Sequence, residues 1–323
     1  MSLTVLYLDY LENDLTIERD LFSNNDIELL DGRQNPTNKQ FDNSDVLVVT
    51  ERRVDEKLLS QMSHLKLVVR HGTGYDTIDI QACNNAGVAV VTIPNYCTSE
   101  VVEHTLAFIL SIVRNSQKAL SLNTTDLRGP WQLIAPIHRL ASHLVGIIGY
   151  GQIGKRLTTT LGMLGVQVLV NTAHPQPTSQ SDVSFVSLKE LVHRCDIISI
   201  HSSLNATSSK LINSETISSM KESAWIINTS RGSIIDQRAL FKALKEKRIG
   251  GAALDVLDRT LPFPQAELLN LDNLIYTPHL AWYSDESLLD IRTRIAKNII
   301  LYYKSGEVQE VCVNPKILDQ KMK

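Results

Sequence analysis

Arg231 lies in Asn228-Thr-Ser-Arg-Gly-Ser233, directly after the short apolar run that starts at Trp225. An arginine at a strand end presents a planar fork of N–H donors that fits a carboxylate through two hydrogen bonds. The plainer alternative is a surface ion pair. His279 follows Thr277-Pro278 at the end of another short apolar run, 274–276. Its imidazole can give and take a proton near neutral pH, and Pro278 restrains the chain before it. Gly72 and Gly74, in His71-Gly-Thr-Gly-Tyr75, could offer main-chain N–H groups to the same carboxylate, or could simply make a turn. A fourth stretch is Val145-Gly-Ile-Ile-Gly-Tyr-Gly-Gln-Ile-Gly-Lys-Arg156, in which Gly149, Gly151 and Gly154 spell G-x-G-x-x-G. The first glycine permits a tight turn, the second lets a pyrophosphate approach the backbone, and the third lets a helix pack close to a strand. N–H groups at the helix start then face the anion. Hydride addition to a ketone carbon makes an alkoxide, which a nearby cation stabilises and a proton donor quenches. A carboxylate anchor, a proton donor and a nicotinamide site together describe a 2-keto acid reductase.

The elements that must hold these residues alternate along the chain. Residues 144–148 read as a buried strand. Ile153, Leu157 and Leu161 mark the apolar face of the following helix, and a second strand begins at Val166. Further strands are expected at 196–200, 225–228, 251–254 and 274–276, with helices between them at 188–193, 214–220 and 237–245. An earlier set has strands at 3–8, 46–50, 65–70 and 88–91, and helices at 12–22, 54–62 and 78–86. Residues 35–44 and 175–184 read as polar loops. Strand–helix alternation implies parallel sheets with crossover helices, so the fold class is α/β with two doubly wound units. A long apolar helix at 101–114 is expected to bridge them. The polar connection at 115–142 should run over the surface, and a last amphipathic helix occupies 285–303.

With 323 residues the chain is long enough for two domains, and its 43% apolar and 21% charged residues are ordinary for a globular protein. A net charge of −3 argues against nucleic acid as a partner. No run approaches the ~18 apolar residues of a membrane span, and the N-terminus reads as a first strand, not a signal peptide. Cys83, Cys97, Cys195 and Cys312 are scattered. That pattern suits reduced thiols in the cytoplasm and argues against a zinc or other metal site.

An ordered series of motifs resembles the D-isomer-specific 2-hydroxyacid dehydrogenases over nearly the whole length. It comprises His71-Gly-Thr-Gly-Tyr-Asp76, Val102-Glu-His-Thr-Leu-Ala107, the glycine loop, Asn228-Thr-Ser-Arg-Gly232, Gly250-Gly-Ala-Ala-Leu-Asp-Val256 and Thr277-Pro-His279. Pro94-Asn-Tyr-Cys-Thr98, Pro136-Ile-His-Arg-Leu140 and His279-Leu-Ala-Trp-Tyr-Ser284 are similar to the branch containing C-terminal binding protein and its bacterial dehydrogenase relatives. The resemblance implies a central Rossmann cofactor domain, 101–285, and a flavodoxin-like substrate domain built from both chain ends, 1–100 and 286–323. It implies that Arg231 holds the substrate carboxylate and His279 is the acid/base. Gln152 and Ile153 would sit at the pyrophosphate, with Thr229 and Asp255 near the nicotinamide and Ser230 also binding the cofactor. It also implies a homodimer joined largely through the cofactor domains. Tyr96, Trp282 and Tyr283 stand where they could line the substrate pocket, where they would favour an apolar side chain.

Two departures from the family pattern matter. Thr260 stands where the family has the glutamate that orients the imidazole, and Leu261 replaces a proline. Losing that anion weakens the acid role of His279, and Asp258, two residues away, is not expected to substitute fully. The acid that binds the ribose 2′-hydroxyl is also missing: Thr172 takes its place in Asn171-Thr-Ala-His174, with no Arg or Lys between Asn171 and Asp182. Either NAD or NADP is therefore admitted. The leading expectation is an NAD(P)-dependent oxidoreductase of a small 2-keto/2-hydroxy acid. The alternative, which Thr260 favours, is a dinucleotide-binding protein with weak or no catalysis, acting as a cofactor-sensing, co-repressor-like dimer.

Overall fold

The computed structural model describes residues 2–10, 14–34, 36–122, 131–175, 183–262 and 270–321. The chain divides into two compact units, 1–96 with 284–323, and 97–283.

In the first unit, strands β1 (Leu3–Tyr7), β2 (Ile27–Asp31), β3 (Val46–Val49), β4 (Leu67–Arg70) and β5 (Ala89–Thr92) are parallel. The last strand of the chain, Val311–Cys312, runs antiparallel beside β5. The order across the sheet is last strand, β5, β4, β3, β1, β2. The central strands are buried on both faces, so they read as unbroken apolar runs such as Val46-Leu-Val-Val49. Their period of two divides the core. Val46, Val48, Leu67 and Val69 pack with Ile291, Ile295 and Ile299 of the helix Asp285–Ser305. Leu47, Val49, Val68 and Val90 pack on the other face with Leu58, Leu59 and Cys83. Buried Arg292 of that long helix donates to both oxygens of buried Glu18, at 2.8 and 2.6 Å, and so ties the chain's end to its beginning. Strand order reverses between β1 and β3, the place where open α/β sheets usually take a ligand. Here the Asp9 carboxylate fills it, accepting from the N–H groups of Thr50, Glu51 and Arg52 at 2.6–2.8 Å.

The second unit is a seven-stranded, wholly parallel sheet. Its strands are β6 (Leu144–Ile148), β7 (Gln167–Asn171), β8 (Val183–Phe185), β9 (Ile197–Ile200), β10 (Trp225–Asn228), β11 (Gly251–Leu254) and β12 (Leu274–Tyr276). The order is β12-β11-β10-β9-β6-β7-β8, with the reversal between β9 and β6. One face carries Ile198, Ile200, Ile226 and Leu254 against Leu240 and Leu244 of the helix Gln237–Lys245. The other carries Val145, Ile147 and Ile227 against Phe108 and Ile109 of the helix Thr98–Val113 and Leu157 and Leu161 of the helix Gln152–Met163.

Three strands escape the sequence reading: β2, β8 and the last strand. Each lies at or beside a sheet edge and is only partly buried, so it lacks a continuous apolar run; its neighbour supplies the pairing. Of the expected loop at 175–184, residues 176–182 lie outside the described residues, as do 12–13 of the expected helix 12–22, which is seen from Thr16 to Phe22. The expected loop 35–44 contains a helix, Asn38–Asp42, opened by a reciprocal Thr37–Gln40 capping box whose T-x-x-Q spacing is plain in the sequence. The helices expected at 54–62 and 78–86 shrink to Glu56–Leu59 and Ile80–Asn85. Val54 and Ile78 are diverted into a β-bridge, and Asp55 and Asp79 cap the shortened helices. The long helix begins at Thr98, three residues before the expected start.

Candidate active site

The second unit's strands all run the same way, so their C-terminal ends share one edge. At that edge β6 gives way to the glycine loop. Gly149 has φ +97°, and a Cβ there would lie 2.6 Å from the His201 carbonyl group at the end of β9. A Cβ on Gly154 would lie 2.2 Å from the Gly149 oxygen. The turn and the close strand–helix packing thus account for those two glycines. Gly151 is different: a Cβ there meets no atom of the described residues within 4 Å. None of the described residues demands glycine at that place, and the space before it is open. The helix Gln152–Met163 starts at Gly151 with no side-chain cap, leaving its first N–H groups for an anion. Ile153, Leu157 and Leu161 hold it to the sheet.

Two polar atoms beside this loop are buried without a partner among the described residues, Nδ1 of His201 and Oγ of Ser202. The other ring nitrogen of His201 meets Ser199 Oγ at 2.8 Å. Burial pushes the His201 pKa down to about 4, so the ring is neutral. An open glycine, uncapped N–H groups and two orphaned polar atoms at the point of strand reversal fit a dinucleotide.

Arg231 leaves β10 on the same edge. Asn228 fixes its loop from both sides: Nδ2 donates to the Arg231 carbonyl at 2.9 Å, and Oδ1 accepts from Ser230 N–H at 3.0 Å. Ser230 Oγ donates to the Ile200 carbonyl at 2.7 Å, and Thr229 Oγ1 lies 3.3 Å from Thr105 Oγ1. A Cβ on Gly232 would collide with the Leu257–Asp258 backbone at 2.0–2.2 Å, so glycine is what lets the loops after β10 and β11 touch.

His279 leaves β12, and β11 lies between it and Arg231. Its φ of +58° is unusual for a residue with a side chain. The strained turn is over-determined by buried Asp255. The Asp255 carbonyl accepts from His279 N–H at 2.8 Å. Its carboxylate accepts from Thr277 Oγ1 at 2.5 Å, Leu280 N–H at 2.8 Å and Ala281 N–H at 3.0 Å. His104 Nε2 lies 3.0 Å from Thr277 Oγ1 and 3.7 Å from Asp255 Oδ1. Burial lowers the His104 pKa against the pull of Asp255. Asp255 therefore positions the His279 turn through bonds inside the protein.

The Thr260 hydroxyl and N–H both turn to Asp258 Oδ1, at 2.7 and 3.0 Å. Burial alone would raise the Asp258 pKa. Hydrogen bonds from Thr260 and Ser233, with the charge of Lys210, outweigh it and hold the carboxyl below its ordinary value. The group that meets the His279 imidazole from this segment is a cation: Arg259 Nη2 lies 3.1 Å from His279 Nδ1.

Other expectations fare unevenly. Thr172 Oγ1 accepts from His174 N–H at 3.2 Å, which keeps it within its own turn after β7. In the first unit, the Gly72 N–H donates to the Arg70 carbonyl at 2.8 Å, and the Arg70 guanidinium lies across the Cβ position. Tyr96 packs against that unit's core, while Trp282 and Tyr283 of the second unit meet edge to face at 5.6 Å. His104, His201 and Arg259 were not singled out from sequence. Their roles come from partners remote in the chain or from a local turn that no motif announces.

A doubly wound sheet with a dinucleotide loop at its reversal point, and with arginine and histidine at strand ends on the same edge, defines a nicotinamide-dependent oxidoreductase. A family model, D-isomer specific 2-hydroxyacid dehydrogenase, NAD binding domain, matches residues 106–281. A glycerate dehydrogenase of Methylorubrum extorquens is 30% identical over 84% of this chain and 87% of its own length. A D-lactate dehydrogenase of Aquifex aeolicus, solved in complex with NAD and lactic acid, is similar with a TM-score of 0.85 and 26% identity, over 93% of this chain and 95% of that one. An acyclic imino acid reductase solved with NADPH and D-Arg is similar with a TM-score of 0.82 and 26% identity, over 96% and 100%. The chain belongs to the D-isomer specific 2-hydroxyacid dehydrogenase family.

Proposed function

We propose that the protein interconverts a small 2-keto acid and its D-2-hydroxy acid, with Arg231 anchoring the carboxylate and His279 serving the substrate oxygen. The cofactor, when bound, supplies or accepts the hydride. The Arg231 fork takes the carboxylate bidentately. His279 hydrogen-bonds the carbonyl oxygen, yields a proton to it in reduction and takes one back in oxidation. Gly149, Gly151, Gln152, Ile153 and Gly154 hold the pyrophosphate, with Thr229 and Ser230 toward the nicotinamide. Gly72, Gly74 and Tyr96 are further proposed substrate contacts, and the first unit is the proposed substrate domain. The observation that carries this reading is the shared strand edge on which the glycine loop, the Arg231 loop and the Asp255-braced His279 turn all lie. Glyoxylate, pyruvate and hydroxypyruvate with NADH or NADPH should each be tried. Turnover on at least one supports the reading, and tight cofactor binding without turnover on any would favour the cofactor-sensing alternative. Relatives named as dehydrogenases and reductases weigh against that alternative.

The lack of an acid at Thr172 supports use of NADP as well as NAD. A tenfold preference for NAD, ~1.4 kcal/mol, would count against it. A homodimer is proposed through the second unit, whose neighbouring helices expose Leu110, Leu120, Met163 and Leu164. Sedimentation at micromolar concentration tests it. Among the described residues no helix is long and apolar enough to cross a membrane. The cysteines, all free, suit the proposed cytoplasmic location.

A further inference from the structure

We propose that Arg259 is a positioning residue that decides which ring nitrogen of His279 carries the proton, and that reduction requires this contact to open. The proposal rests on the reading of His279 as the acid/base. It starts from the 3.1 Å approach of Arg259 Nη2 to His279 Nδ1. A guanidinium has only donors, so Nδ1 must be the acceptor and the neutral ring carries its proton on Nε2.

The local chain makes this approach. The two Thr260 groups on Asp258 Oδ1 form a tight turn, and the Asp258 N–H is held by Gln237 Oε1 at 2.9 Å. Gly232 lets the segment press against the Arg231 loop. Arg259, at the crest of that turn, is exposed along its length while its tip reaches the imidazole. Several charged and titratable groups of the described residues stand near the ring. Asp255 directs its carboxylate to Thr277, Leu280 and Ala281. His104, held neutral by burial, lies beyond Thr277. Tyr276 feels both Asp255 and Arg259. Asp258 serves Thr260 and Ser233.

This contact constrains proton transfer. With Nδ1 accepting from Arg259, Nε2–H can donate a hydrogen bond to the substrate oxygen and polarise it. Breaking that N–H bond outright would leave an imidazolate, which is not accessible near neutral pH. Full transfer requires a solvent proton to bond first to the Nδ1 lone pair. The ring is then an imidazolium facing a guanidinium, and the contact opens. Nε2–H can now break, with its electron pair staying on nitrogen and its proton forming the O–H bond of the hydroxy acid. Arg259 and the incoming proton compete for one lone pair, so Arg259 restrains reduction.

The test uses the full-length protein with 15N-labelled histidine, His279 being assigned by the signal lost in His279→Gln. Two-bond 1H–15N correlation should show Nδ1 bare and Nε2 protonated in the unsubstituted protein. In Arg259→Met the pH midpoint for His279 protonation should rise by about half a unit, and reductive kcat near neutral pH should rise about threefold. Arg259→Lys, which keeps a donor, should stay close to the original on both measures. Should Arg259→Met not fold, Arg259→Gln carries the same expectation, with an amide that can also accept from a protonated Nδ1. A ring protonated on Nδ1 in the unsubstituted protein, or an unshifted midpoint with unchanged reductive kcat in the folded variant, would overturn the proposal. Undiminished turnover in His279→Gln would instead sink the acid/base reading, leaving the tautomer result to stand separately.

Discussion

Substituting glutamine at His279 should lower turnover about 100- to 10,000-fold, the usual worth of a positioned acid or base. Substituting glutamine at Arg231 removes a charge-assisted fork and should lower kcat/KM about 10- to 100-fold, chiefly through KM, for any substrate bearing the carboxylate. Thr260→Glu should raise turnover by returning an anion to the segment beside His279. No change, or a loss, would show that the Asp258–Thr260 turn has rebuilt this segment for another chemistry. Arg231 and His279 are legible in the sequence because each follows a short apolar run at a strand end. Arg259 is not, because its reach to His279 depends on a turn made by Asp258 and Thr260. The missing glutamate is visible in the sequence, while the cation that faces the imidazole from the same segment emerges only in three dimensions.

Elements set where these groups stand, and the glycine loop separates packing from binding. A Cβ on Gly149 would strike the His201 backbone at a φ of +97°, so Gly149→Ala should cost about 1–3 kcal/mol of stability and lose cofactor binding with it. A Cβ on Gly151 meets nothing among the described residues. Gly151→Ala should therefore keep its unfolding free energy within about 0.5 kcal/mol while weakening NADH binding tenfold or more. Chemical denaturation and fluorescence titration check the pair, and unimpaired NADH binding by Gly151→Ala would remove the pyrophosphate from that position. Central strands were legible because burial on both faces leaves unbroken apolar runs, as in β3 and β10. The partly buried strands toward the sheet edges, β2 and β8, are specified by their neighbours more than by their own residues.

At the scale of the whole molecule, buried histidines link stability to pH. Burial lowers the pKa of His104, His143 and His201, in the last case to about 4. Each binds a proton more readily unfolded than folded. Their contribution is full above the unfolded value near 6.5 and is lost as pH falls below it, toward 4 for His201. Tm should thus fall between pH 7.5 and pH 5, and His201→Gln should flatten the dependence; a Tm that rises on acidification would contradict it. The measurement closest to the central claim compares the protein with His279→Gln, following NADH oxidation with the best keto acid and NADH affinity by fluorescence. The account predicts affinity within about threefold of the original and turnover reduced at least about 100-fold. Turnover that survives the substitution, or falls only because NADH no longer binds, would contradict it.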